Sequence, residues 1–208
     1  MKPLLICDCD EVLLHMVRHF RTWLDEHHDI DLQLEQGSFE KAMRHRAGGE
    51  LVTRETMWSL IDGFFPAEME RQTLVPHAQE ALTALAERAD IVILTNLSDQ
   101  CRESRITQLS SHGIVHRVEC NQGPKGEPVA RLVAEHGNPV TVFVDDLATH
   151  HESVARHAPG VHRLHMVSEP QLAVHVPPAP AAHARIDDWR DAATWIEERF
   201  DTGLPAEA

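Results

Sequence analysis

The 208-residue chain has no long apolar run. Its longest near the N-terminus, Pro3 to Cys7, is far short of the ~20 residues of a membrane helix or the ~7–15 of a secretory core. The chain therefore reads as soluble and cytoplasmic, with no membrane partner. Positive charge is also scarce: 19 Lys and Arg stand against 33 Asp and Glu, a formal net charge of −14. A field of that sign repels phosphate backbones and excludes nucleic-acid binding across a broad face. A small anionic substrate is still admissible where a metal or a few cations gather. The four cysteines, Cys7, Cys9, Cys101 and Cys120, include no C-x-x-C pair. A disulfide framework or zinc knuckle is thus not expected. Cys7 and Cys9 flank Asp8 and read as buried thiols without chemistry. Tyrosine is absent, histidine numbers 16, and the remaining composition is that of a globular domain.

What is present has a clear order. Leu4-Leu5-Ile6-Cys7 is continuously apolar, as suits a strand buried on both faces of a parallel sheet. Residues 13–75 change character. Leu13, Met16, Val17, Phe20, Trp23 and Leu24 recur at helical spacing, Gly37 and Gly48-Gly49 interrupt, and Met57, Leu60, Ile61 and Phe64 form a second stripe. No strand is expected there. From Pro76 onward helices and strands alternate: a helix face at Ala78–Ala86, a strand at Ile91–Leu94, a helix near 98–112, a strand in 114–120, a helix around Val129–Val133, the strand Val140–Val144, a helix near 148–157 and a strand near 162–167. The Pro- and Ala-rich stretch 176–184 reads as a loop. Trp189, Ala192, Ala193, Ile196 and Phe200 make a last helix, capped by Asp187 or Asp188 and stopped by Gly203. The expected fold is an α/β, Rossmann-like parallel sheet core, residues 1–13 and 76–208, with an inserted α-helical cap, residues 14–75.

Ligands of open α/β sheets bind beyond the carboxyl ends of the strands. Asp8 and Asp10 follow the first strand, Thr95 and Asn96 the second, Asp145 and Asp146 the strand at 140–144, and Lys125 sits in the turn Gly123-Pro124-Lys125-Gly126. Carboxylates gathered this closely demand a cation, and an all-oxygen site suits Mg²⁺. In such a site Asp8 can act as a carboxylate nucleophile forming an aspartyl-phosphate, and Asp10 as general acid and base. Thr95, Asn96 and Lys125 would hold the phosphoryl group.

Ile6 to Leu13 resembles the first motif of the haloacid dehalogenase-like (HAD) superfamily, apolar residues followed by Asp-x-Asp. Ile91–Thr95 resembles the second motif, Lys125 fits the third, and Val142–Asp146 fits the fourth, in family order across residues 4–167. The resemblance implies Mg²⁺-dependent phosphoryl transfer through Asp8. The metal would be held by Asp8, Asp145, Asp146 and the backbone carbonyl of Asp10, with Asp146 as direct ligand and Asp145 acting through water or paired with Lys125. It also implies a helical cap over the site, and a small phosphorylated metabolite as substrate. Two positions depart from the pattern. Glu11 stands where the family usually has glycine, so the turn into the insert is expected to differ and to add negative charge near the entrance. Val12 replaces the commoner threonine, which relatives tolerate.

Other residues carry weaker signals. Arg44, His45, Arg46 and Arg54 form a basic group in the insert, either a solvated helix face or contacts to the non-reacting part of a substrate. Trp58 and Phe64-Phe65 read as packing within the insert. The pairs His27-His28 and His150-His151 are neighbours that do not face one another on a helix, so no histidine metal site is expected. Competing functions are a phosphomutase of the same fold, a haloacid-type dehalogenase, which Asp10 disfavours, and a catalytically silent HAD-like scaffold. A phospho-receiver domain is excluded by chain order, because the acid pair Asp145-Asp146 follows Thr95 and Lys125.

Overall fold

The computed structural model describes residues 2–36 and 39–207. The chain opens with β1 (Leu4–Cys7). It then runs through β2 (Leu14–His15), α1 (Val17–His27), β3 (Ile30–Leu32), α2 (Phe39–Ala42), β4 (Met43–His45), α3 (Arg54–Glu68) and β5 (Thr73–Leu74). Regular alternation follows: α4 (Ala78–Ala86), β6 (Asp90–Asn96), α5 (Arg102–Ser111), β7 (Arg117–Asn121), α6 (Gly126–Glu135), β8 (Thr141–Asp145), α7 (Ala148–His157) and β9 (His162–His165). The chain closes with α8 (Pro170–Ala173), β10 (Ala184–Arg185) and α9 (Trp189–Thr202). Among the described residues, no helix is long and apolar enough to cross a membrane.

Six strands form one sheet in the order β10-β9-β8-β1-β6-β7, paired in parallel throughout. β1 lies between β6 and β8, with Leu4 opposite both Asp90 and Thr141. Successive side chains point to opposite faces of a strand. Leu5 and Cys7 accordingly join Ile93, Val142 and Val144 against Leu82, Leu85, Trp189 and Ile196. Leu4 and Ile6 join Val92, Leu94 and Phe143 against Val129, Leu132 and Val154. Both faces are covered, which explains why these strands read as unbroken apolar runs.

The termini of the last helix behave as the sequence suggests. Asp188 caps α9 by accepting from the Arg190 amide, and Gly203 ends it with φ of 66°. Trp189 Nε1 donates to Val12 O at 2.8 Å, pinning α9 to the loop after β1. Gly126 lets α6 approach α7 closely: a Cβ there would lie 2.4 Å from Ser153 O. Its amide donates to Ser153 Oγ at 3.1 Å.

Between β1 and α4 the chain builds a separate apolar cluster around Phe20, Trp23, Leu24, Met57, Leu60 and Phe64. This stretch is not purely helical, contrary to the sequence reading. β2 pairs with β5 where the chain leaves and rejoins the sheet region, and β3 pairs with β4, both antiparallel. Strands of two or three residues are too short to display a period-two pattern, so only tertiary pairing reveals them. Gly37, expected to interrupt this region, lies outside the described residues.

Candidate active site

The turn after β1 is tight. Leu13 N and Leu14 N both donate to Cys9 O, and Glu11 N donates to Leu14 O. Glu11 adopts φ of 60°, the left-handed conformation that the family pattern gives to glycine. The sequence reading expected an altered turn here, whereas Glu11 takes the left-handed conformation itself; it lines the cavity beside Asp8 and Asp10. Left-handed backbone costs an ordinary residue roughly 1–2 kcal/mol. Glu11 offsets it by accepting the Val17 amide on Oε1 at 2.6 Å, at the first turn of α1, where Met16 supplies no side-chain cap. The side chain is buried and Oε2 has no partner. Burial pushes its carboxyl up to about 7.

β1 and β8 deliver Asp8, Asp145 and Asp146 to the same rim. Each offers a carboxylate oxygen, and these oxygens lie within 4.8 Å of one another. Lys125, at the start of α6 and fully buried, bridges two of them: Nζ is 2.6 Å from Asp8 Oδ1 and 2.7 Å from Asp145 Oδ2. Asp145 Oδ1 also accepts the Leu147 amide at 2.9 Å, so both its oxygens are engaged. Burial disfavours ionised Asp145, but Lys125, with His150 and His151, outweighs it and holds the carboxyl below its usual range. Burial likewise opposes charge on Lys125, and Asp145 and Asp8 reverse this, raising it. Asp8 is pushed up to about 7 by burial, against the pull of Lys125. Asp146 is raised well above the usual range by burial and by Asp145, Asp8 and Glu11 around it. One ammonium does not neutralise three clustered carboxylates, and a hard divalent cation on this all-oxygen donor set would. The residues therefore fit Mg²⁺.

Two histidines behind the rim fix its backbone. His151 Nε2 donates to Asp145 O at 3.0 Å and His165 Nε2 donates to Asp146 O at 2.8 Å. His165 Nδ1 in turn accepts the Ala179 amide at 3.0 Å. Adjacent rank in sequence gave no hint of this, because the partners are main-chain atoms of other segments. Among the described residues, no histidine belongs to the carboxylate cluster.

Thr95, the penultimate residue of β6, is buried, with Oγ1 unpartnered among the described residues. Asn96 Nδ2 donates to Gly123 O at 2.9 Å and lies 3.3 Å from His150 Nε2. Asn121 Nδ2 donates to Asn96 Oδ1 at 2.8 Å. Asp10 stands apart from the three clustered carboxylates. Arg105 Nη2 lies 3.0 Å from both of its oxygens, and Gln72 Nε2 donates to Oδ1 at 2.9 Å. Arg105 is fully buried on α5, with Nη1 3.3 Å from Cys9 Sγ and its guanidinium 5.6 Å from the Phe65 ring. Sequence reasoning missed this residue. The one available signal is its place four residues before Leu109, on the buried face of an otherwise polar helix.

The site opens into a cavity of about 330 Å³ that Asp8, Asp10, Asp146, Trp58 and His150 help to line. The basic residues of the insert lie elsewhere. Arg44 donates to Gly49 O, Arg46 pairs with Asp25, and neither these nor His45 or Arg54 line the cavity. Phe64 packs inside the insert, whereas Trp58 is half exposed on the cavity wall, which corrects its assignment to packing.

No family model and no curated protein matches the chain. Solved structures do. A HAD-superfamily hydrolase of subfamily IA from Geobacter sulfurreducens superimposes with a TM-score of 0.58 at 18% identity, covering 94% of this chain and 96% of that one. YfnB of Bacillus subtilis, a HAD-type protein solved with bound magnesium, gives 0.64 at 15% identity over 94% and 98% of the two chains. A protein of Haemophilus somnus predicted to be a phosphoglycolate phosphatase gives 0.61 at 14% identity over 93% and 97%. With its central β1, its parallel sheet covered on both faces and the helical segment inserted after the first strand, the chain has the haloacid dehalogenase-like fold.

Proposed function

We propose that the protein is a Mg²⁺-dependent phosphatase acting on a small phosphorylated metabolite through an aspartyl-phosphate on Asp8. The observation that carries this reading is the Lys125 ammonium between Asp8 and Asp145, with Asp146 beside them, behind a cavity that Asp8 and Asp146 line. A cation held by Asp8, Asp145, Asp146 and the Asp10 carbonyl would screen the phosphoryl charge from this acidic wall and polarise it.

The chain's own groups divide the work. An Asp8 oxygen attacks phosphorus as the bond to the leaving oxygen breaks, and Asp10 gives that oxygen a proton. Asp10 then takes a proton from water, whose oxygen attacks phosphorus and frees Asp8. Both Asp10 oxygens face Arg105 in this structure, so the proton transfers require the carboxylate to turn from it. Lys125 steadies Asp8 and offsets transition-state charge, while the unpartnered Thr95 hydroxyl and the Asn96 amide hold phosphoryl oxygens. In this reading residues 14–75 are a cap domain over a core of residues 1–13 and 76–208, and the cap keeps bulk water out.

The test is hydrolysis of p-nitrophenyl phosphate with Mg²⁺ and with EDTA, beside Asp8→Asn. Activity that needs both the metal and Asp8 supports the reading. Metal-independent halide release from a 2-haloacid would overturn it.

A further inference from the structure

The reaction chamber continues into a second cavity of about 580 Å³ between α3 and the segments after β6 and β7. The two share Trp58, Ile61, Phe65 and Asn96. A group attached to a phosphoryl at Asp8 can extend along this wall. Its ionisable side chains are mostly acids: Asp8, Asp10, Glu11 and Asp146 line the chamber beside His150, Asp62 lines the extension, and among the described residues neither is lined by a lysine or an arginine. Lys125 is fully buried and already committed to Asp8 and Asp145. The floor is apolar, from Ile61 and Phe65, and Trp58 stands over it 50% exposed, although the other aromatic side chains of its helix, Phe64 and Phe65, are buried. The opposite rim carries neutral hydrogen-bonding groups: Asn96, Ser98, Gln100, Asn121 and Gln122.

We propose that the phosphomonoester cleaved at this site is the ester of a ring-bearing alcohol without negative charge, with its ring against Trp58 and its polar groups on the amide rim. This rests on the phosphatase reading above. A carboxylate or second phosphate on the leaving group would lie beside Asp62, with no lysine or arginine among the described lining residues to meet it, and like-charge juxtaposition of that kind is unfavourable. A tryptophan face with a rim of amides is suited to a flat or polyhydroxylated ring, which offers one apolar surface and several hydrogen bonds. Trp58 is thus assigned as a specificity-determining residue. A sugar ring and a nucleoside both have this chemistry.

The test compares glucose 6-phosphate, adenosine 5′-monophosphate, 2-phosphoglycolate and phosphoethanolamine with p-nitrophenyl phosphate as control, in wild type and Trp58→Ala, all with Mg²⁺. At least one ring ester should exceed phosphoglycolate in kcat/KM by about tenfold or more. Trp58→Ala should raise the KM of that ester about tenfold while leaving its kcat within about twofold. Whichever of the sugar and nucleoside esters leads identifies the ring. Equal or better turnover of phosphoglycolate or phosphoethanolamine overturns the proposal, as does an unchanged KM in Trp58→Ala. Failure to cleave any ester, the control included, defeats the phosphatase reading itself, so the two failures are distinct.

Discussion

Arg105 is the residue whose removal speaks most directly to how the site is held. Replacing it with methionine keeps an unbranched apolar stem against Phe65 and deletes the guanidinium. The charge lost is fully buried and contacts both oxygens of Asp10, whose side chain is 19% exposed. Breaking a fully buried pair costs about 3–5 kcal/mol, and partial exposure of the carboxylate places this one near the lower end, about 3 kcal/mol. Gln72 still donates to Asp10, so the carboxylate is not left bare. Urea unfolding of wild type, Arg105→Met, Asp10→Asn and the double variant closes a cycle. The expected coupling is about 1.5–3 kcal/mol, the range of a charge-assisted hydrogen bond. Arg105→Lys should recover only part of it, because an ammonium cannot reproduce the planar fork. If Arg105→Met unfolds within about 0.5 kcal/mol of wild type and the cycle gives no coupling, Arg105 does not anchor Asp10.

Three further outcomes follow from buried charge. Lys125→Met should cost about 3–5 kcal/mol in urea unfolding, because it strips the counter-ion from Asp8 and Asp145 together, and it should abolish p-nitrophenyl phosphate hydrolysis. Glu11 is raised from 4.5 to about 7 in the folded chain, so its contribution is present below 4.5 and lost as pH rises through 7. Glu11→Gln should therefore gain about 3 kcal/mol at pH 8 and under about 1 kcal/mol at pH 5, read from unfolding at the two pH values. His151 is lowered by burial from 6.5 to about 4, so the folded chain binds fewer protons than the unfolded one between those values, and stability falls as pH drops through that window. His151→Gln should make the acid limb shallower by up to about 1.4 kcal/mol per pH unit; an unchanged slope would show that His151 does not set it.

The parts of the fold legible in the sequence are those whose physics is local. β1, β6 and β8 announce themselves because burial on both faces demands unbroken apolar runs, and the polar residues at their ends mark the rim. Asp188 and Gly203 mark α9 because caps are short-range. The paired strands β2–β5 and β3–β4 were not legible, being too short to carry a pattern. Arg105 was hidden because a polar helix gives no sign that one arginine on it points inward to a carboxylate 95 positions earlier. Glu11 misled for a related reason. Its backbone strain could be anticipated, but the Val17 amide that rewards it could not. The roles of His151 and His165 depend on main-chain carbonyls, which sequence does not distinguish.

The position of β1 sets the order in which this molecule can be completed. The strand comes first in the chain, yet its neighbours begin at Asp90 and Thr141. Loop closure must be paid before such distant pairings give anything back, so folding is expected to be slow relative to helical proteins of this size. During synthesis Asp8 emerges early and Lys125 and Asp145 late. Until β8 docks, the middle of the sheet has an unfilled edge and Asp8 remains an ordinary hydrated aspartate. A nascent chain stopped short of β8 would thus expose the apolar edge of β1, a species that chaperones must shield. The buried surroundings of Asp8 arrive only with the closing of the sheet.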